Sequence, residues 1–201
     1  EEKYQLNSCL EELIKDLNHK SLVVVSDYDK GVIKKSTTSI ILEKTKLIFV
    51  DPKKPPDYYK NAFLVKPNMK EYVEWCGEFN PVSARAFARK HGWTWLLITD
   101  GANGIHLIHA TSGMLSHAYN HYTEVVKGVV DVTGAGDVVI SAVVYGYSKG
   151  MSIPESCKLA CYAATRSVEQ RRLTGMDLNF EDMPWKLPIP IPHQQGALSS
   201  L

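Results

Sequence analysis

The sequence predicts an α/β domain of three layers, in which helices cover both faces of a mostly parallel, Rossmann-like sheet that carries an antiparallel extension. Three observations predict it. Short continuous apolar runs each end in polar residues, as parallel strands buried on both faces do. Helical segments separate these runs, so successive strands are joined by crossovers. Beyond residue 104 the pattern changes to closely spaced short strands with Gly113 at a turn, which suits antiparallel pairing.

Taken in order, residues 3–19 place Leu6, Leu10, Leu13, Ile14 and Leu17 at helical spacing, an amphipathic first helix. Leu22 to Val25 is the first strand and ends at Ser26-Asp27. A helix around 35–44 leads to the strand Leu47 to Val50, which ends at Asp51-Pro52. The strand Phe63 to Val65 ends at Pro67-Asn68, helices around 69–76 and 81–91 follow, and the strand Trp95 to Ile98 ends at Thr99-Asp100-Gly101. Polar residues at such strand ends lie where α/β sheets bind ligands. The antiparallel stretch is expected at about 104–109, 114–118 and 122–126. Two helices close the core at about 135–149 and 153–169. The first is apolar nearly all round, the mark of a buried helix; the second starts at Ser152 with Pro154 and Glu155 in its first turn. Residues 1–175 are therefore read as the core. Pro184, Pro188, Pro190 and Pro192 break regular helix in 176–201, which is expected to be a loosely packed or disordered tail.

Composition bounds the function. Of 201 residues 44% are hydrophobic and 22% charged, with a net charge of +1, so no long-range field gathers nucleic acid or an anionic membrane. No apolar run approaches the roughly 20 residues that cross a bilayer, and Glu1-Glu2-Lys3 does not open a signal peptide. A cytoplasmic protein with reduced Cys9, Cys76, Cys157 and Cys161 is expected, since no CxxC spacing is present. His106, His109, His117 and His121 are irregularly spaced and show no acidic second shell in the sequence, which argues against zinc.

The chemistry is carried by Asp131-Val132-Thr133-Gly134-Ala135-Gly136-Asp137, a small-residue loop running into the buried helix. Backbone N–H groups at such a helix start converge on an anion, and the glycines let phosphate approach them. A carboxylate at that place suits acceptance of a proton from an attacking hydroxyl. Taken alone, the loop is better read as a tight turn whose Asp137 caps the helix; its place among other strand-end polar motifs favours the chemical reading.

Residues 131–144 resemble the second signature of the ribokinase, or PfkB, carbohydrate kinases. Asn68-Met69-Lys70-Glu71 resembles that family's NxxE motif, and Thr99 to Gly104 its TxGxxG nucleotide loop. Ser26 to Gly31, Val50 to Lys53 and Lys66-Pro67-Asn68 are similar to the heptose 7-phosphate kinase domain of bacterial ADP-heptose synthesis enzymes. The resemblance spans about residues 20–170. It implies a ribokinase-like fold and ATP-dependent phosphoryl transfer to a sugar or sugar-phosphate hydroxyl. Asp137 would be the base, and Gly134, Ala135, Gly136 and Asp137 the anion hole. It further implies Asn68 and Glu71 near Mg2+ through water, and Thr99, Gly101, Gly104 and Lys53 near ATP. Asp27, Lys30 and Asp131 would lie on the substrate side, with a homodimer as one assembly it allows. Family members begin with a substrate-binding half that includes a β-sheet lid, so the expected chain is the C-terminal, ATP-binding part lacking that N-terminal lid portion. Three departures stand out: Asp29 in place of Gly, Cys161 in place of Asn, and Thr165 to Gln170 in place of small apolar residues. These keep open an alternative, a catalytically impaired nucleotide-binding or scaffolding module. No GxGxxG follows the first strand, which argues against a dinucleotide-dependent oxidoreductase.

Overall fold

A computed structural model of the chain describes residues 8–111, 113, 118–125, 128 and 132–169. The elements run α1 (Ser8–Lys15), β1 (Val23–Ser26), α2 (Lys35–Lys44), β2 (Ile48–Asp51), β3 (Leu64–Val65), α3 (Met69–Cys76), α4 (Pro81–Lys90), β4 (Trp95–Thr99), β5 (Ile105–His109), β6 (Tyr119–Tyr122), α5 (Ala135–Ser148) and α6 (Ile153–Val168). One sheet holds the strands in sequence order. β1 to β4 are parallel, and β5 and β6 extend them antiparallel.

Period-two alternation divides the core into two layers. Ile48, Val50, Val65, Leu96, Ile98 and Ile108 face Ile14, Ile41, Tyr72, Ala84, Ala88 and Trp93 of the α1–α4 side. Phe49, Leu64, Leu97, Ile105 and Leu107 face Val139, Ile140, Val143, Cys157 and Ala160 of α5 and α6. Both strand faces are thus covered by helices, which is why these strands read as unbroken apolar runs. Capping fixes where the helices begin. Asn80 Oδ1 accepts from Val82 N at 2.8 Å with Pro81 behind it, and Ser152 and Glu155 form a reciprocal capping box.

Two expectations need correction. The first helix ends at Lys15, short of residue 19, because side chains take over the backbone partners: Lys20 N donates to Asn18 Oδ1 and Asn18 N to Ser21 Oγ. The strand expected at 122–126 is instead Tyr119–Tyr122. Pairing runs from Ile105 opposite Tyr122 to Ile108 opposite Tyr119, and Val125 beyond it is exposed. The strand expected at 114–118 and the tail 176–201 fall wholly or almost wholly outside the described residues.

Candidate active site

The carboxyl ends of four parallel strands and the start of α5 meet at one edge of the sheet. Asp27 follows β1, Asp51 ends β2, Lys66 follows β3 and Thr99 ends β4. Asn68 bridges to Thr99 beside them, with Thr99 N donating to Pro67 O at 3.1 Å. This is the edge at which open α/β sheets bind ligands.

α5 starts from Gly134, whose φ of 77° lies in the left-handed region that favours glycine, and no side chain caps it. Ala135 N is directed to Val132 O at 3.3 Å, while Val138 N already bonds Gly134 O within the helix. Asp137 is exposed in the first turn, and Tyr28 Oη donates to its two carboxylate oxygens at 3.2 and 3.3 Å. A methyl group added at Gly136 would stand 3.2 Å from Lys66 Nζ. The glycine loop is therefore in direct contact with the ends of β1 and β3.

Lys66 is buried and pairs with Asp51, Nζ to Oδ2 at 3.0 Å. Burial pushes the Asp51 carboxyl above the ordinary carboxylate range; Lys66 opposes this, and the negative charges of Asp137 and Glu71 add to it. Asp51, Glu71 and Asp137 thus share one electrostatic neighbourhood. Asn68 and Glu71 form a reciprocal capping box at α3: Glu71 N donates to Asn68 Oδ1 at 2.8 Å and Asn68 N to Glu71 Oε2 at 3.0 Å. The remaining Glu71 oxygen accepts from Lys53 Nζ at 3.1 Å, and that bond raises the Lys53 pKa.

Asp27 is 8% exposed and its carboxylate is turned inward. Tyr59 Oη donates to Oδ2 at 2.6 Å, and Asp29 N donates to Oδ1 at 2.8 Å. Tyr59 Oη in turn accepts from the amides of Lys53 and Lys54 at 3.1 and 2.9 Å. Asp27 is thereby the anchor that ties the end of β1 to the loop after β2. Asp29 has a φ of 54°, a left-handed backbone that an Asp tolerates and a Gly adopts freely. Its added charge is met by Lys54 Nζ at 2.6 Å, which holds the Asp29 carboxyl below its usual range. Lys30 is exposed at the same tip. Asp131 lies outside the described residues.

Gly101 and Gly104 shape the turn from β4 to β5, with φ of 52° and 92°. Asp100 N donates to Gly104 O at 2.8 Å, and a Cβ at Gly104 would run into Tyr122 O. The histidines of this region are less isolated than their spacing suggests. His106 and His121 stack with ring centroids 4.3 Å apart, Asp100 Oδ2 lies 3.7 Å from His106 Nε2, and Tyr119 Oη lies 2.9 Å from His106 Nδ1.

The expected residues Asp137, Gly134, Ala135, Gly136, Asn68, Glu71 and Thr99 are brought together at one edge. Lys66, Asp51 and Tyr28 join them although the sequence alone assigned them no role. The signal for Lys66 and Asp51 was present, since each is a polar residue ending an apolar strand. Tyr59 carries no comparable signal, because its partner Asp27 is 32 residues away in the chain.

Residues 3–178 match the profile of the pfkB family carbohydrate kinases. The chain is 34% identical over 157 residues to the Bifunctional protein HldE of Shewanella baltica, covering 74% of this chain and 32% of that protein. It is 30% identical over 178 residues to the Bifunctional protein HldE of a Nitratiruptor species, covering 82% of this chain and 37% of that protein. It thus spans about a third of the length of these curated relatives. Among solved structures, the Phosphofructokinase-2 from Escherichia coli in complex with potassium superposes with a TM-score of 0.68 at 16% identity, covering 81% of this chain and 55% of that one. Arabidopsis thaliana ribokinase complexed with ribose and ATP gives 0.63 at 20% identity, covering 83% and 54%. The fold is ribokinase-like.

Proposed function

We propose, because the chain belongs to the pfkB family of carbohydrate kinases, that it takes part in ATP-dependent phosphoryl transfer to a sugar or sugar-phosphate hydroxyl, with a heptose 7-phosphate as the acceptor. The observation that carries this reading is the exposed Asp137 carboxylate in the first turn of α5, set among Tyr28, Lys66 and the strand ends. In the reaction the acceptor oxygen bonds to the γ-phosphorus while the bond to the β–γ bridging oxygen breaks. ADP leaves and the hydroxyl proton passes to Asp137. The amides of Gly136 and Asp137, with the positive end of α5, face the developing negative charge. The amide of Ala135 joins them once it is released from Val132 O.

The donor set suits a hydrated Mg2+ held chiefly by nucleotide phosphates. Among the described residues no three His, Cys, Asp or Glu side chains form a metal cluster; Asn68 Oδ1 and one Glu71 oxygen are engaged in the capping box, and the other Glu71 oxygen accepts from Lys53. Glu71 would reach such an ion through water, and the ion would draw charge from the β- and γ-phosphates. Thr99, Gly101 and Gly104 border the nucleotide, and Lys53 and Lys30 lie within reach of phosphate at the two loop tips. Asp27 serves as the scaffold that sets these tips. Among the described residues no helix is long and apolar enough to cross a membrane.

The test is transfer of γ-labelled phosphate from ATP to heptose 7-phosphate by the complete protein in the presence of Mg2+. Product should form in the wild type and fall away in Asp137→Asn. Nucleotide binding with no transfer to any sugar or sugar phosphate would favour the binding-module alternative.

A further inference from the structure

The base assigned to the reaction meets a hydroxyl of the protein itself. Tyr28 Oη donates to both carboxylate oxygens of Asp137, at 3.2 and 3.3 Å. Both distances exceed the roughly 2.5–3.0 Å usual for an O–H···O bond, and one hydroxyl hydrogen shared between two oxygens makes neither bond fully. Tyr28 is also 64% exposed, so little packing holds its ring. Tyr59 shows the contrast: it is fully buried, and its hydroxyl meets Asp27 at 2.6 Å. That bond ties down the end of β1. On the other side of Tyr28, Asp29 is fixed by its amide, which donates to Asp27 at 2.8 Å, and by its carboxylate, which meets Lys54 Nζ at 2.6 Å. The backbone is therefore anchored on both sides of Tyr28 without help from its hydroxyl. Only the side chain is left to turn, and rotation of an exposed side chain is fast beside turnover.

We infer that the Tyr28 hydroxyl stands in for the acceptor hydroxyl at Asp137, covering the base when no sugar is bound and turning aside when one arrives. A phenol suits the part, since it offers the carboxylate the same kind of O–H donor that the acceptor brings. Cover matters because water is the competing acceptor. At an open Asp137, a water oxygen would bond to the γ-phosphorus of bound ATP while the bond to the β–γ bridging oxygen breaks. The water proton would pass to Asp137, and ADP and phosphate would leave. Tyr28 takes the hydrogen-bonding positions that such a water needs. It also lowers acceptor affinity, because the sugar binds only the fraction of molecules whose base is uncovered. Tyr28 is thus a positioning residue that acts through Asp137. The inference rests on the phosphoryl-transfer reading.

The experiment compares the complete wild-type protein with Tyr28→Phe, which removes the hydroxyl and keeps the ring. With Mg2+ and ATP present, it measures phosphate release without sugar, then kcat and KM for heptose 7-phosphate; a thermal melt accompanies both. Phosphate release without sugar is expected to rise about two- to tenfold in the variant, and KM to fall by a similar factor. These factors are smaller than a full-strength hydrogen bond to a charged group is worth, because this bond is long and shared. In the double variant Tyr28→Phe with Asp137→Asn the rise in phosphate release should vanish, since an uncovered residue that is no base does not activate water. Phosphate release or KM left at the wild-type value in Tyr28→Phe overturns the inference, and a lower melting temperature beside them marks a structural tether. A fall in kcat at unchanged KM overturns it too and marks Tyr28 as orienting the base. Each of these leaves the kinase reading standing. A wild type that transfers phosphate to no sugar or sugar phosphate removes both.

Discussion

Asp137 has two tasks open to it, setting a negative charge at the positive end of α5 and accepting a proton, and replacement by Asn separates them. Asn keeps the size and loses only the attraction of an exposed charge to the helix end, worth about 0.3–1 kcal/mol, so the melting temperature is expected to change little. The proton acceptor is lost, and turnover of the complete protein is expected to fall by about 10²- to 10⁴-fold with ATP affinity kept. Steady-state kinetics beside a thermal melt checks both. The Tyr28 hydroxyl that spans the two Asp137 oxygens fits an occupied carboxylate awaiting a proton donor. At the tip of β1, Asp29 poses a second question, since its φ of 54° is one that glycine adopts at no cost. Its charge is met by Lys54, which also lies 3.6 Å from Asp27. Asp29→Gly should therefore leave the urea midpoint in place. It removes a negative charge near the proposed phosphate site and frees Lys54, so ATP affinity is expected to rise. An unchanged or weakened affinity by calorimetry would count against placing phosphate near this tip.

At the scale of elements, the β4–β5 connection shows how a backbone requirement separates two glycines of one motif. Gly104 needs a φ of 92° and has the Tyr122 carbonyl where a Cβ would go, while Gly101, at 52°, has open space. Gly101→Ala is expected to cost about 1 kcal/mol of left-handed strain. Gly104→Ala adds displacement of β6 and is expected to cost about 2–3 kcal/mol or more by urea unfolding. Equal losses would mean that the approach of β6 is not what selects glycine at 104. The same connection marks where the sequence stopped being legible. The parallel strands could be read because runs such as Ile48 to Val50 are covered on both faces. β6 is Tyr-Asn-His-Tyr, half-exposed and without an apolar period, so its place depends on its register with β5. The start of α6 was legible through Ser152, because capping is local chemistry; Asn68 and Asn80 cap α3 and α4 in the same way in the structure.

For the whole molecule, the glycine loop and the strand-end motifs were visible in sequence because each is a contiguous segment. The contacts that weld them, Tyr59 to Asp27, Lys66 to Asp51 and Tyr28 to Asp137, join segments that only the sheet order brings together. The histidine stack belongs to this second class, and it gives stability a dependence on pH. Burial lowers the His106 pKa below its ordinary 6.5, His121 lowers it further, and Asp100 opposes them. His109 is likewise lowered by burial, with Arg85 adding to it. The folded protein thus holds both rings neutral at pH values where the unfolded chain has begun to protonate its histidines. As pH falls through about 6.5, the unfolded state gains protons that the folded state refuses, and stability declines. The exposed carboxylates Asp29, Asp57 and Glu155, whose pKa values the fold lowers, lose their contribution only below the ordinary carboxylate range. The loss between about pH 7 and 5.5 is therefore assigned to the histidines. It falls on the turn that proposed nucleotide contacts share, since His121 Nε2 lies 2.7 Å from Asn103 O and His106 faces Asp100. Melting temperature is expected to drop over that interval in the wild type and to drop less in His106→Gln. An identical slope in the variant would assign the acid sensitivity to other groups.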